Sequence, residues 1–335
     1  MSTLESRGSI GVRIAGTGVS LPTKILTNDD LAAMVDTSDA WITQRTGIKQ
    51  RHVVDGTTTL RDLAGQAVKQ AIDNAAIEPK QIDLLICATL TPEMCCPSTA
   101  ARVTADLGMV PAGALDISAA CSGFVYALNM ASTMIQFGVH KSVAVVGVET
   151  LSRITDYNNR RTCILFGDGA GAAILTASED PNQGCLYQSM HSDGRLWGEL
   201  YCPRHESDLP PNRDVFSGAY NTLQMNGREV YKFAVNTMKQ TIDEALEAGG
   251  VTAQDLTMVI PHQSNKRILE STRQRLGLSK DKLIVNIERY GNTSAASVPI
   301  CLHEQFEQSR LKTGDLVLFV AIGGGMTWAS NLWRM

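Results

Sequence analysis

No run in this 335-residue chain approaches the roughly 18–20 apolar residues that a membrane span needs. The opening Met1-Ser-Thr-Leu-Glu-Ser-Arg stretch has no apolar core, so no secretory leader is expected and a cytoplasmic, reducing setting follows. Cysteine is sparse for a disulfide scaffold. Cys87, Cys95, Cys96, Cys121, Cys163, Cys185, Cys202 and Cys301 show no repeated ligand spacing, so no metal site is expected either. Charge of one sign is also lacking. A net charge of −4 excludes a general nucleic-acid or membrane-surface binder. A phosphate loop is missing as well: Gly167-Asp-Gly-Ala-Gly171 is not followed by a helix-opening Gly-Lys-Ser/Thr, and the Ala-Ala-Ile-Leu after it reads as strand.

What remains is an ordinary globular composition, 44% hydrophobic and 19% charged, at a length that suits two domains or one duplicated fold. Strand-like runs at 12–17, 84–88, 114–118, 142–147, 258–261 and 316–321 alternate with helical patterns. Those patterns lie at 60–75, 121–137, 228–248, 266–276 and 293–308, and the alternation predicts a layered α/β fold. Val230, Phe233, Ala234, Met238 and Ile242 form a buried helical stripe, and Gly249-Gly250 ends that helix. Segments 163–175 and 318–329 both read as strand, glycine turn, strand, and each closes about half of the chain. Two related halves, 1–180 and 181–335, are therefore expected. The stretch 193–227, rich in Gly, Pro, Asn and charge, reads as a long functional loop.

Three polar residues stand where such folds place chemistry. Cys121, in Asp116-Ile-Ser-Ala-Ala-Cys-Ser-Gly-Phe124, lies between an apolar strand and an apolar helix. A helix N-terminus favours thiolate over thiol, and the small neighbours leave room for a substrate; a buried structural cysteine is the competing reading. His262, in Val259-Ile-Pro-His-Gln-Ser-Asn265, follows a strand whose C-terminal end should face the ligand crevice. Asn292, in Tyr290-Gly-Asn-Thr-Ser-Ala-Ala-Ser297, opens a helix and could equally serve as a turn or cap residue. Gly323-Gly324-Gly325 can expose a backbone N–H to a substrate oxygen, or simply form a tight hairpin.

Together these segments resemble the β-ketoacyl-[acyl-carrier-protein] synthase III family of the thiolase superfamily. The resemblance rests on Thr37–Ile48, Ala119–Phe124, Phe166–Ala172, Pro261–Asn265, Gly291–Pro299 and Gly323–Trp328, in order and across nearly the whole chain. It implies a thiolase-like five-layered αβαβα fold of two duplicated halves, and a homodimer. It implies the catalytic set Cys121, His262 and Asn292, with an oxyanion hole made by the N–H groups of Cys121 and Gly324. It implies coenzyme A contacts at Thr37, Trp41, Arg45 and Arg160, and a pantetheine tunnel at Asn226, Gly227 and Asn265. Cys96 and Phe166 fall at its acyl pocket. No cofactor is implied; acyl-CoA and malonyl-[acyl-carrier-protein] are substrates.

The activity so implied is decarboxylative Claisen condensation in two half-reactions with ping-pong kinetics. Cys121 takes the acyl group from CoA. Loss of CO2 from the malonyl thioester then gives a carbanion, whose thioester oxygen needs neutral donors such as His262 Nε2–H and the Asn292 amide. The acidic acyl carrier protein should dock on a basic face built from Lys266, Arg267, Arg273 and Arg275, with Lys232 alongside. Cys96 stands where relatives often carry a bulkier aromatic, which predicts tolerance of primers longer than acetyl. Arg161, Arg228 and the 202–218 loop depart from common members, so a related acyltransferase of specialised metabolism is the alternative. A non-catalytic acyl-thioester-binding relative is a third reading. A papain-type protease shares the Cys, His, Asn order but needs a Cys-Gly-Ser-Cys-Trp signature that is absent.

Overall fold

The computed structural model describes residues 10–210 and 218–335. The N-terminal stretch read for a leader, through residue 9, and positions 211–217 of the long loop lie outside the described residues. The first half runs β1 (Gly11–Ser20), β2 (Ile25–Thr27), α1 (Asn28–Ala32), α2 (Asp39–Thr46), β3 (Gln50–His52), α3 (Leu60–Ala75), β4 (Leu84–Ala88), α4 (Thr99–Asp106), β5 (Gly113–Ile117), α5 (Gly123–Gln136), β6 (Ser142–Thr150) and β7 (Asp168–Ser178). The second runs β8 (Gly184–Ser192), β9 (Leu200–Tyr201), β10 (Gln224–Met225), α6 (Gly227–Gly249), β11 (Met258–Pro261), α7 (Lys266–Arg275), α8 (Ile287–Tyr290), α9 (Ser297–Glu307), β12 (Leu316–Gly323) and β13 (Thr327–Arg334).

Two sheets carry the fold, ordered β1-β7-β6-β4-β5 and β11-β12-β13-β8. In the first, β4 and β6 are parallel while β6–β7 and β7–β1 are antiparallel. The second repeats the pattern: β11 and β12 are parallel, and β12–β13 and β13–β8 are antiparallel. Residue parity sorts each strand's side chains between layers. Val143 and Val145 of β6 join α5, α9 and the second sheet in a central core, while Ala144, Val146 and Val148 pack outward against α3 and α4. Leu318 and Val320 of β12 likewise face outward to α6 and α7, whereas Val317 and Phe319 face the centre. The result is five layers, αβαβα, with α5 and α9 in the middle.

The strand–turn–strand reading of 163–175 needs correction. Residues 161–165 form turns, and only Phe166 makes a β-bridge, to Asn292. The reason is that this segment's backbone is engaged elsewhere: Ile164 O accepts a 2.7 Å hydrogen bond from the buried Arg51 guanidinium. The true counterpart of β12–turn–β13 is β6, then the excursion 151–167, then β7. The helical stripe on α6 holds, and the helix ends at Gly250 in the left-handed conformation, φ 61°. Among the described residues no helix is long and apolar enough to cross a membrane.

Candidate active site

Cys121 does not lie within the long helix α5. It sits in the short 3-10 turn Ala120–Ser122 just before it, with Ala120 at φ 46°. Several contacts fix that turn. Ser122 Oγ donates to Ala119 O at 2.8 Å, and Thr327 Oγ1 donates to the same oxygen at 2.9 Å. Residue 323 approaches so closely that a Cβ there would fall 2.7 Å from Cys121 N and 2.9 Å from Ala119 O. Only glycine fits. This approach brings the Gly324 amide to the sulfur, beside the amide of Cys121 itself. Two N–H groups thus converge on the Cys121 sulfur.

The thiol is 8% exposed, and burial pushes it up to about 12 against the lowering effect of Ser294 and the two amides. This corrects the expectation that position before a helix would favour the thiolate in the free protein. Three residues of a 3-10 turn and α5 behind it do not outweigh removal from water.

His262 follows β11 and is 1% exposed; burial pushes its imidazole down to about 3. It is therefore neutral. Its Nδ1 lies 2.7 Å from Ser297 Oγ, which already accepts the Gln263 N–H at 3.3 Å. A Ser297 hydroxyl that donates to Nδ1 puts the ring proton on Nε2. Asn292 is oriented in the same manner. Its Oδ1 accepts the Ser294 N–H at 2.9 Å, so its NH2 group faces away from that bond as a donor. Cys121, His262 and Asn292 line one cavity together with Phe166 and Gly324.

That cavity is apolar along its length, walled by Met225, Val230, Phe233, Ala234, Met238 and Ile268. The stripe of α6 read as core thus also lines the site at its N-terminal end. Gly227 and Asn265 line the cavity too, whereas Asn226 caps α6 beside it. A second cavity opens on the other side of Cys121, lined by Leu90, Leu151, Phe166, Leu200, Leu223 and Ser294 among others. Phe166 borders both. Cys96 is exposed in the loop before α4 and lines neither cavity.

Trp41, Arg45 and Arg160 come together although 160 is distant in sequence. Both guanidiniums face the indole, at 5.0 Å and 5.2 Å from its centroid. Thr37 Oγ1 beside them is buried and has no partner. The basic residues expected for docking separate. Lys266, Arg267 and Arg273 share a cleft with Tyr231, and Arg267 covers that ring at 5.7 Å. Arg273, however, is held by Glu270 through two hydrogen bonds, at 2.9 and 2.5 Å, and by Leu278 O. Its charge is already spent within α7. Arg275 is exposed at the end of that helix, and Lys232 lines a different cleft with Glu199 and Glu229.

Sequence reasoning passed over Glu149, Ser294 and Ser297. Glu149 closes the apolar strand β6 and is fully buried. Strand parity could have found it, since it shares the inward face of Val145. Ser294 and Ser297 lie within the segment 291–299, Ser294 between Asn292 and α9 and Ser297 at the first position of α9.

The model for 3-oxoacyl-[acyl-carrier-protein] synthase III matches residues 115–194, and that for the C-terminal part of the same enzyme matches 246–335. The β-ketoacyl-[acyl-carrier-protein] synthase III of Caldanaerobacter subterraneus subsp. tengcongensis is 47% identical over 323 residues, covering 96% of this chain and 97% of its own. The crystal structure of the synthase III from Aquifex aeolicus superposes with a TM-score of 0.90 at 46% identity, covering 97% of this chain and 100% of that one. The priming β-ketosynthase of the R1128 polyketide pathway also gives 0.90, at 30% identity, with 100% and 99% coverage.

Proposed function

The chain belongs to the 3-oxoacyl-[acyl-carrier-protein] synthase III family, and on that premise we propose that it condenses an acyl-CoA primer with malonyl-[acyl-carrier-protein], giving the 3-oxoacyl carrier protein that initiates fatty acid synthesis. The enzyme is an acyltransferase of the condensing type. One observation carries the assignment of parts: the Cys121 sulfur lies where two cavities meet, beneath two backbone N–H groups and between neutral donors.

The primer thioester enters along the cavity under α6, with its nucleotide end at Trp41, Arg45 and Arg160. There Arg160 occupies the face of the indole where a base would stack, so it swings outward to admit one. The carbonyl oxygen becomes an oxyanion held by the N–H groups of Cys121 and Gly324, each such donor typically contributing about 3–4 kcal/mol. CoA departs and the acyl chain extends into the second cavity. The malonyl thioester follows on its carrier, which docks at Lys266 and Arg267. Decarboxylation needs no base, only donors to the developing enolate, and His262 Nε2–H and the Asn292 amide supply them while remaining neutral. The reaction so written uses no cofactor. The subunits pair as a homodimer, with Cys96 of each facing its partner's acyl cavity.

Intact-protein mass spectrometry after mixing with acyl-CoAs of graded length tests this. A one-acyl mass increase, lost in Cys121→Ser, is expected. In His262→Ala and Asn292→Ala the adduct should still form while condensation with the malonyl carrier fails. No adduct and no malonyl-dependent product from any primer would leave only a binding protein.

A further inference from the structure

Glu149 has no part in the chemistry above, yet it is fully buried 58 residues from Thr91 in sequence and hydrogen-bonded to it. Its carboxylate accepts from Thr91 Oγ1 at 2.6 Å, from Leu90 N–H at 3.2 Å, from Ser294 Oγ at 3.1 Å and more weakly from Thr89 Oγ1 at 3.4 Å. Among the described residues it makes no salt bridge. A buried carboxylate held only by neutral donors is costly, and such groups cluster at functional sites.

The placement of Ser294 turns this into a connection. Ser294 opens a 3-10 turn at φ 49°, in the left-handed region that non-glycine residues seldom adopt. The turn is seated on β6: a Cβ at Gly147 would stand 2.2 Å from Ala295 O. The Asn292 side chain holds the Ser294 amide. So fixed, the Ser294 hydroxyl donates to Glu149 Oε1 and lines the same cavity as Cys121.

We propose that Glu149, acting through the Ser294 hydroxyl, takes the proton of the Cys121 thiol during acylation and returns it when the thiol is released. The inference rests on the acyl-transfer reading above. The S–H bond breaks and its proton passes to Ser294 Oγ as Ser294 gives its own proton to Glu149 Oε1. The sulfur electron pair attacks the thioester carbon, the bond to CoA breaks, and the departing thiolate takes a proton from solvent. After condensation the acyl carbon–Cys121 bond breaks, its electrons return to sulfur, and the stored proton travels back. The acyl enzyme thus carries the stored proton on Glu149, and each turnover draws one proton from solvent.

Ionisation tendencies agree with this geometry. Burial raises the Glu149 carboxyl to about 7, opposed by its hydroxyl and amide donors, while His262 is pushed to about 3 and is a far weaker acceptor. Of the titratable groups, Cys121 and Cys87 feel the Glu149 charge, Cys87 from the outward face of β4, where burial raises it well above its usual range.

Single-turnover acylation by acetyl-CoA, read as adduct on the Cys121 peptide between pH 5.5 and 9, is the test. The wild-type rate should rise through about pH 7 and level off. In Glu149→Gln and in Ser294→Ala it should fall about a hundredfold at pH 7 and keep climbing without a plateau, as the unaided thiol ionises. Ser294→Ala keeps the carboxylate and cuts only the link, so it decides the matter if Glu149→Gln does not fold. A wild-type inflection retained in the folded variants overturns the relay while leaving acyl transfer intact. A wild type that acylates at no pH overturns both.

Discussion

The two halves of the molecule present the same turn at the same place and use it differently. Each central helix is preceded by a 3-10 turn whose first residue is a non-glycine at left-handed φ: Ala120 at 46° before α5 and Ser294 at 49° before α9. One turn follows its strained residue with Cys121, the other with the buried methyl of Ala295. Conversely, the strained residue itself is a methyl in the first half and a hydroxyl in the second. The two turns are matching niches that single side chains make different, with a thiol in one and a hydroxyl in the other. The connections differ more. Between β12 and β13 only Gly324–Met326 intervene, whereas 151–167 separates β6 from β7. The short link delivers an amide to the sulfur. The long one delivers Phe166 between the cavities and Arg160 to Trp41.

Breaking this asymmetry should have graded effects. Cys121→Ala makes the two turns alike and should abolish the acyl adduct entirely, as read by intact mass. Gly323→Ala forces backbone atoms of the Cys121 turn aside. With the paired amides displaced, single-turnover acylation should drop about 10²–10³-fold, while far-UV circular dichroism stays native.

Glu149 offers a stability test whose sign is opposite to the usual carboxylate. Its folded pKa is raised from 4.5 to about 7. Its favourable contribution is therefore complete below pH 4.5 and is lost as pH rises through about 7. Denaturant melts should show Glu149→Gln gaining on wild type by about 3 kcal/mol between pH 4.5 and 7 and holding constant above. The smallest effect belongs to the indole that Arg160 of the long connection reaches. Trp41→Ala removes one stacking surface and should raise the KM for acyl-CoA about tenfold with kcat nearly unchanged, as steady-state kinetics would show.

Much of this arrangement was legible in the sequence because it follows from local order. Cys121 and His262 each lie between an apolar run and a helical pattern, where layered α/β folds expose side chains, and Asn292 lies in a loop that opens a helix. The stripe of α6 and its glycine stop were equally local. What escaped reading depends on tertiary company. The duplication was visible, but its echo was drawn at 163–175, because the engagement of Ile164 O by Arg51 cannot be inferred from spacing. The acidity of Cys121 depends on how far α5, β12 and the 292–296 turn exclude water, and a helix-terminus argument alone gave it the wrong direction. Arg273 read as a docking charge because Glu270, three residues earlier, was not weighed as its partner. Glu149 looked like the polar end of a strand; only the approach of the Ser294 turn makes it a neighbour of the nucleophile.

The junction of two cavities at one sulfur has a consequence for traffic. On the proposed route both thioesters use the first cavity, and the second, on the other side of Cys121, receives the acyl chain. Parking the acyl chain there clears the first cavity for the next arrival. On that route two large substrates share one entrance by taking turns, and free coenzyme A held in that entrance would obstruct the second of them.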